Sequence, residues 1–274
     1  MAEPSPSAGA DAAAGRLLVV DVGNTQTHFG LFDPGAEEVR EHWRFATVRE
    51  STSDELGAQL LGLLVLRGLD LAQIGRSIVA STVPQLSEQW VAMVGRYLGH
   101  EMLIVGPALK TGMAIRMDNP HEVGADRLVN AVAAYARFQS ACVVVDFGTA
   151  ITYDVVSGAG EYLGGIITPG AEISLDALSE RAAKLPRVEL VQPRAVIGRS
   201  TVEAIRSGIA YGYAGQVEGI VGRLRAELGE GTPVIATGGM ARALTPFVRG
   251  CIDAVDELLT LTGLRLVWER NACR

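Results

Sequence analysis

One pattern occurs twice in this chain: an apolar strand ends in a short Asp-x-Gly turn and is followed at once by a second strand. The first copy, residues 17–32, reads LLVVDVGNTQTHFGLF, and the second, residues 142–156, reads CVVVDFGTAITYDVV. Glycine lets the backbone approach a ligand, and the following Asn or Thr supplies donors, so each turn suits a phosphate group. For the first copy alone the alternative is an ordinary hairpin, because Gly-Asn is a common hairpin turn.

A third element, TPVIATGGMA at residues 232–241, has the pattern of a buried strand that ends in a Gly-Gly turn and opens a helix. In this order the three elements resemble the phosphate-one, phosphate-two and adenosine motifs of the actin, sugar kinase and Hsp70 superfamily. The resemblance implies an α/β fold of two similar domains of the ribonuclease H-like (actin-like ATPase) type. Each domain would hold a mixed sheet flanked by helices, with the ligand site in a cleft between them.

The hydrophobic periodicity agrees with a duplicated plan. The first half predicts strands at 39–47, 77–81 and 102–105 and helices at 53–67 and 84–98. The second half predicts strands at 143–145, 151–156 and 162–167, a helix at 171–184 and a long helix that starts within 198–201 and ends at about 228. We therefore expect an N-terminal domain over residues 16–139 and a C-terminal domain over residues 140–274. Residues 1–15 form a polar, low-complexity segment that predicts a disordered tail.

Residues 125–138 have a helical and nearly all apolar pattern, which predicts a buried helix with Asp126 and Arg127 in its first turn. The helix dipole favours an acidic residue there, so one interpretation is a capped helix with a local ion pair. The other is an acid and a base presented together at the mouth of a cleft. At a helix N-terminus, the pKa of Asp126 is expected to stay low.

Five glycines recur at spacings of four and three within the predicted long helix: Gly208, Gly212, Gly215, Gly219 and Gly222. Each costs about 0.5–1 kcal/mol relative to alanine in a helix interior, so close approach of another backbone must offset that cost. The partner is either a neighbouring helix of the same chain or the same helix of a second subunit, and we favour the second subunit.

Composition excludes several classes of protein. A formal net charge of −7 and a pI near 5.2 argue against a nucleic-acid partner, which requires a basic surface. Lys110 and Lys184 are the only lysines, and neither lies in a Walker-type P-loop. Cys142, Cys251 and Cys273 show no paired spacing, which indicates a reducing cytoplasm. No apolar run of about 18 residues predicts a membrane span.

Two further motifs, NPHEVGADR at residues 119–127 and GRST at residues 198–201, complete a resemblance to the type III pantothenate kinases from Arg16 onward. The resemblance implies a homodimer that phosphorylates pantothenate to 4′-phosphopantothenate with ATP, the first step of coenzyme A biosynthesis. It also implies a requirement for Mg²⁺ and for K⁺ or NH₄⁺.

The resemblance assigns roles to individual residues. ATP-binding residues would be Asp21, Val22, Gly23, Asn24, Thr25, Gln26, Thr27, His28 and Thr149. Pantothenate would be bound by Gly124, Ala125, Asp126, Arg127 and Thr201, with Asp126 as proton acceptor. Asp146 would hold the monovalent cation, and Asp21 would lie near Mg²⁺. Met117 stands where some relatives carry a tyrosine that lines the pantothenate pocket, so this part of the pocket wall differs.

Three other functions compete with this interpretation. A kinase of the same fold could act on another small hydroxy acid or sugar, although the GADR sequence at 124–127 argues against a changed substrate. Loss of the acidic residues Asp21, Asp126 or Asp146 would favour a non-catalytic nucleotide-binding regulator, but all three are present. An ATPase or chaperone module would usually need a long substrate-binding extension.

Overall fold

The computed structural model describes residues 15–182 and 184–272. The predicted tail, apart from Gly15, and Cys273 lie outside the described residues. The chain forms two compact units. The first contains the described residues up to Gly112, His121–Ala133 and the described residues from Thr260 onward. The second contains Met113–Pro120 and Ala134–Leu259. The expected domain division after residue 139 stays a prediction.

Regular elements follow the predicted order closely. The first part of the chain forms β1 (Arg16–Val22), β2 (Gln26–Phe32), β3 (Glu41–Ala46), α1 (Ser53–Val65), β4 (Ile74–Ser81), α2 (Pro84–Met93), β5 (Met102–Ile104) and α3 (Ala125–Phe138). The second part forms β6 (Cys142–Phe147), β7 (Ala150–Val156), β8 (Tyr162–Pro169), α4 (Ala171–Arg181), α5 (Thr201–Leu228), β9 (Val234–Thr237), α6 (Ala241–Leu244), β10 (Ala254–Val255) and α7 (Leu259–Ala272).

The two sheets have the same topology. The first has the strand order β3-β2-β1-β4-β5, and the second, in the corresponding direction, β8-β7-β6-β9-β10. In each sheet the first three strands pair antiparallel in sequence order, and the remaining two are added in parallel. Parallel addition requires a crossover, and helices supply it in both units. The predicted fold class, two mixed sheets flanked by helices, is confirmed.

Each sheet buries one face under helices that alternate with its later strands in sequence. In the first unit, Leu18, Val20 and Phe29 pack with Leu60 of α1 and Trp90 of α2. In the second unit, Val143 and Val145 of β6 and Tyr153 of β7 pack with Val217 and Val221 of α5, and residues of β9 and α6 join the same core. The strand residues lie at alternate positions, and the helix residues lie on the buried face of their helix, as the periodicity requires.

Helix α7 covers the opposite face of the first sheet, which the sequence pattern did not predict. A Cβ atom on Gly30 of β2 would lie 2.9 Å from Leu261 Cδ1. The Thr260 hydroxyl donates a hydrogen bond of 2.8 Å to Asn130 Oδ1 of α3. A Cβ atom on Gly263 would overlap the backbone of Val129. The C-terminal helix therefore crosses α3 closely and belongs to the first unit.

Candidate active site

The first Asp-x-Gly turn, between β1 and β2, is narrow and open to solvent at its tip. The Gly23 amide donates to the Gln26 carbonyl at 3.0 Å. Asn24, Thr25 and Gln26 are exposed, whereas Thr27 is buried. Backbone amides and short polar side chains at such a tip can surround an anion. We call residues 23–26 the phosphate turn.

Two neighbouring loops hold the phosphate turn in place. From the segment after β3, the Thr47 hydroxyl donates to the Gly23 carbonyl at 2.8 Å, and its amide donates to the Thr25 carbonyl at 2.9 Å. From the end of β4, the Thr82 amide donates to the Val22 carbonyl at 2.9 Å. Sequence reasoning did not identify Thr47 or Thr82, because nothing local to them signals this contact.

Asp21, His28 and Arg44 occupy one cross-strand row. Asp21 lies opposite His28 in the β1–β2 register, and His28 lies opposite Arg44 in the β2–β3 register. Residues paired in this way project to the same face of a sheet. His28 is 7% exposed, and its Nε2 lies 3.2 Å from His42 Nδ1 in hydrogen-bond contact.

Burial lowers the pKa of His28 to about 3, and the charge of Arg44 and the neighbouring His42 add to the effect. The His28 imidazole is therefore neutral at physiological pH. A buried, uncharged side chain thus lies two residues beyond the phosphate turn. The role of His28 as an ATP contact stays a prediction.

The second Asp-x-Gly turn lies in the second unit. The Gly148 amide donates to the Ala150 carbonyl at 3.0 Å, and Thr149 is exposed at the tip. Gly238, with φ +94°, follows β9 and lies so close to Asp146 that a Cβ atom there would overlap the carboxylate oxygen Oδ1. The strand-Gly-Gly element thus packs directly against the Asp146 carboxylate, which no local sequence signal identified.

Gly124 to Arg127 lie at the start of α3, in the first unit. A Cβ atom on Gly124 would lie 2.5 Å from Asp126 Oδ1, so the missing side chain makes room for this carboxylate. Within the described part of the chain, the buried Oδ1 atom has no hydrogen-bond partner.

The expected low pKa of Asp126 is wrong. Burial raises the pKa of this carboxyl, and it outweighs the lowering by the Arg127 guanidinium and by the backbone amides of Asp126 and Arg127. The helix dipole argument considered only the helix itself, whereas desolvation depends on what packs around the carboxyl. A raised pKa makes Asp126 a better proton acceptor than an ordinary aspartate.

Thr201 is the first residue of α5 and is exposed, and Ser200 caps this helix by accepting a hydrogen bond of 3.2 Å from the Glu203 amide. Thr201 also borders an apolar groove of about 350 Å³ between α4 and α5. The residues lining the groove are Leu178, Leu185, Thr201, Ala204, Ile205, Gly208 and Ile209.

The predicted site residues are divided between the units. The first unit holds residues 21–28 together with Gly124–Arg127, and the second holds Asp146, Thr149 and Thr201. Met117, also in the second unit, lies against β8, where a Cβ atom on Gly164 would be 3.7 Å from its Cγ. Among the described residues, no group of three or more His, Cys, Asp or Glu side chains could hold a metal ion by itself.

Comparison with known proteins decides the family. A model of the type III pantothenate kinases matches residues 17–223. The chain belongs to the type III pantothenate kinase family. It is 52% identical over 255 residues to the type III pantothenate kinase of Moorella thermoacetica, an alignment that covers 93% of this chain and 99% of that protein. The corresponding protein of Streptomyces avermitilis is 49% identical over 269 residues, covering 94% and 99%.

Solved structures show the same fold at low identity. A candidate Baf family transcriptional activator from Campylobacter jejuni superposes with a TM-score of 0.57 at 19% identity, covering 93% of this chain and 98% of that one. A candidate 2-dehydro-3-deoxygalactonokinase from Sinorhizobium meliloti gives a TM-score of 0.56 at 14% identity, covering 93% and 95%.

The predicted family is confirmed, and with it the assignment as an ATP-dependent kinase of coenzyme A biosynthesis. In the described part of the chain, no helix has the length and apolar content needed to cross a membrane.

Proposed function

We propose that this chain transfers the γ-phosphoryl group of ATP to the hydroxyl of pantothenate, with Asp126 as proton acceptor. Membership of the family supports the substrates and the reaction. The observation that carries the role of Asp126 is its buried carboxyl, whose pKa is raised and whose Oδ1 is packed against Gly124. This group lies in the first turn of α3, directly after Gly124 and Ala125.

Phosphoryl transfer requires alignment and charge neutralisation more than strong bases. The hydroxyl oxygen forms a bond to the γ-phosphorus, the bond to the β–γ bridging oxygen breaks, and ADP leaves. The hydroxyl proton passes to the Asp126 carboxylate as the new bond forms. Holding the two reactants in line supplies much of the acceleration, so the residues that bind ATP and pantothenate matter as much as the acceptor.

ATP is proposed to bind through its phosphates to residues 21–28 and to Thr149. The phosphate turn supports this role, because Asn24, Thr25 and Gln26 are exposed at its tip. Thr149 occupies the equivalent exposed position in the second turn. Pantothenate is proposed to bind Gly124 to Arg127 and Thr201, with the Arg127 guanidinium as partner of the substrate's carboxylate or of its hydroxyl region.

Two cations belong to this proposal. Mg²⁺ would be held near Asp21, because it prefers oxygen ligands and usually combines one or two carboxylates with waters and substrate phosphates. When bound, Mg²⁺ neutralises charge on the transferred phosphoryl group. K⁺ or NH₄⁺ would be held at Asp146, whose carboxylate packs against Gly238 and occupies space that a side chain there would fill. A carboxylate oxygen suits these cations, as a ligand of a metal ion or as a hydrogen-bond acceptor for NH₄⁺.

A homodimer formed through α5 is also proposed. Cβ atoms added at Gly208, Gly212, Gly215 and Gly222 would meet no other atom within 4 Å among the described residues of the second unit. These four glycines are exposed on one face of a helix of 28 residues. The glycines lower the stability of this helix, and packing of a second copy of α5 against them would compensate for that loss.

A cytoplasmic location completes the proposal. Cys142 and Cys251 are both buried free thiols. Reduced thiols and ATP as donor agree with this compartment. No nucleic acid or membrane is proposed as a partner of this acidic chain.

The decisive test measures ADP release by the purified protein with ATP, Mg²⁺ and K⁺, with and without pantothenate. We expect turnover that depends on pantothenate and falls when Na⁺ replaces K⁺. ADP release that pantothenate does not stimulate under any cation would contradict the proposal, and direct detection of 4′-phosphopantothenate by mass spectrometry would exclude simple ATP hydrolysis.

A further inference from the structure

Arg49 lies at the phosphate turn without belonging to any motif. It follows β3 and is exposed, and its Nη2 donates a hydrogen bond of 3.1 Å to Asn24 Oδ1. Two residues earlier, Thr47 is fixed to the turn by hydrogen bonds to the carbonyls of Gly23 and Thr25. The backbone that carries Arg49 is therefore anchored to the same turn that its side chain contacts.

The charge of Arg49 is not neutralised by the protein. Within residues 15–182 and 184–272, it forms no salt bridge, whereas Arg16, Arg40 and Arg67 of the same unit are each paired with a carboxylate. A guanidinium carries five N–H donors, and only the one to Asn24 is used here. Its other donors are free to bind a ligand in a planar, bidentate manner, which suits phosphate oxygens.

Arg49 also sets the orientation of Asn24. A guanidinium can only donate, so the oxygen of the Asn24 carboxamide must face Arg49. The Nδ2 group then points the other way, where it lies 3.4 Å from the Thr82 hydroxyl. Thr82 is itself bonded to the Val22 carbonyl. The exposed carboxamide of the phosphate turn is thus held between two loops.

We propose that Arg49 binds a phosphate of the nucleotide and that its hydrogen bond to Asn24 holds its guanidinium at the phosphate turn. The inference rests on the proposed function, because it assumes that this turn binds ATP. Such a cation stabilises negative charge on the phosphates before and during transfer. Arg49 would also supply a positive charge at a nucleotide site that has no lysine of the Walker type.

The test compares Arg49→Gln with wild type in binding of ATP and ADP by calorimetry, at fixed Mg²⁺ and K⁺, and in steady-state kinetics. We expect at least a tenfold loss of affinity for both nucleotides and a KM for pantothenate within twofold of wild type. Arg49→Lys should give an intermediate loss, since it keeps the charge without the planar donor array.

Arg67→Gln is the matched control, because Arg67 is an exposed arginine of the same unit that pairs with Glu41 away from the turn. It should leave nucleotide affinity unchanged. Nucleotide affinity of Arg49→Gln within twofold of wild type, or an equal loss in Arg67→Gln, would overturn the proposal. If the wild-type protein binds nucleotide but does not phosphorylate pantothenate, only the proposed function is contradicted. The role of Arg49 would still be decided by the nucleotide affinities of its variants.

Discussion

Two glycines lie against the two carboxylates that matter most to the proposed reaction. A Cβ atom on Gly124 would crowd Asp126 Oδ1, and one on Gly238 would overlap Asp146 Oδ1. In both places the absent side chain leaves space that the carboxylate occupies. At the residue scale, the candidate site therefore depends on small neighbours as well as on the acidic groups themselves.

Asp126→Asn should abolish most phosphoryl transfer while keeping the protein folded. General base catalysis typically contributes about 10²–10⁴-fold, so we expect kcat to fall by at least about 10²-fold. Because the pKa of Asp126 is raised, the folded state disfavours the charged carboxyl. This lowers the free energy of unfolding at pH values above the ordinary pKa of aspartate. At pH 7 the variant should therefore unfold at the same temperature as wild type or higher. Wild-type turnover would contradict the assignment.

Gly238→Ala should weaken the monovalent cation site through Asp146. The added Cβ atom would displace the carboxylate, so the K⁺ concentration for half-maximal activity should rise at least about fivefold, and the thermal stabilisation by K⁺ should shrink. Gly229→Ala is the control, because Gly229 also has positive φ, +115°, but no neighbour within 4 Å. Equal effects of the two variants on the K⁺ response would refute a specific role for Gly238.

At the element scale, the close crossing of α7 over α3 changes the expected effect of replacing a helical glycine by alanine. An alanine in place of a helical glycine usually stabilises by about 0.5–1 kcal/mol. At Gly263 the new methyl group would meet the backbone of Val129, so the two helices would have to separate. Overpacking of this kind typically costs about 1–3 kcal/mol.

We therefore expect Gly263→Ala to lower the free energy of unfolding by about 1–3 kcal/mol in urea denaturation. Gly62→Ala should raise it by about 0.5–1 kcal/mol, since Gly62 is an exposed glycine of α1 with no neighbour within 4 Å. Stabilisation by both substitutions would show that α7 does not pack closely on α3.

At the scale of the whole molecule, the exposed glycine face of α5 is the proposed contact between the two subunits of a dimer. A leucine at Gly215 would project from the centre of this face and prevent close approach of a second copy. We expect Gly215→Leu to sediment as a monomer and wild type as a dimer. Gly62→Leu, the same substitution on the exposed face of α1, should remain dimeric. A wild-type monomer at micromolar concentration would contradict the proposed assembly.

Local pattern alone was enough to predict much of this protein. Runs of apolar and β-branched residues located strands β1 to β9, and the helical period gave α3 the bounds that the structure has, Ala125–Phe138. Turn chemistry identified both Asp-x-Gly hairpins, and their repetition indicated two related sheets. These features are readable because they depend on residues close together in sequence, whose periodicity reflects the face each element buries.

Only the tertiary structure decided what surrounds the candidate groups. Packing buried Asp126 and raised its pKa, against the expectation from helix position. It brought Arg49 to Asn24, 25 residues away, and Gly238 to Asp146. It also joined the C-terminal helix to the first unit. Desolvation and contact are set by atoms distant in sequence, and no pattern within one segment records which of them will meet.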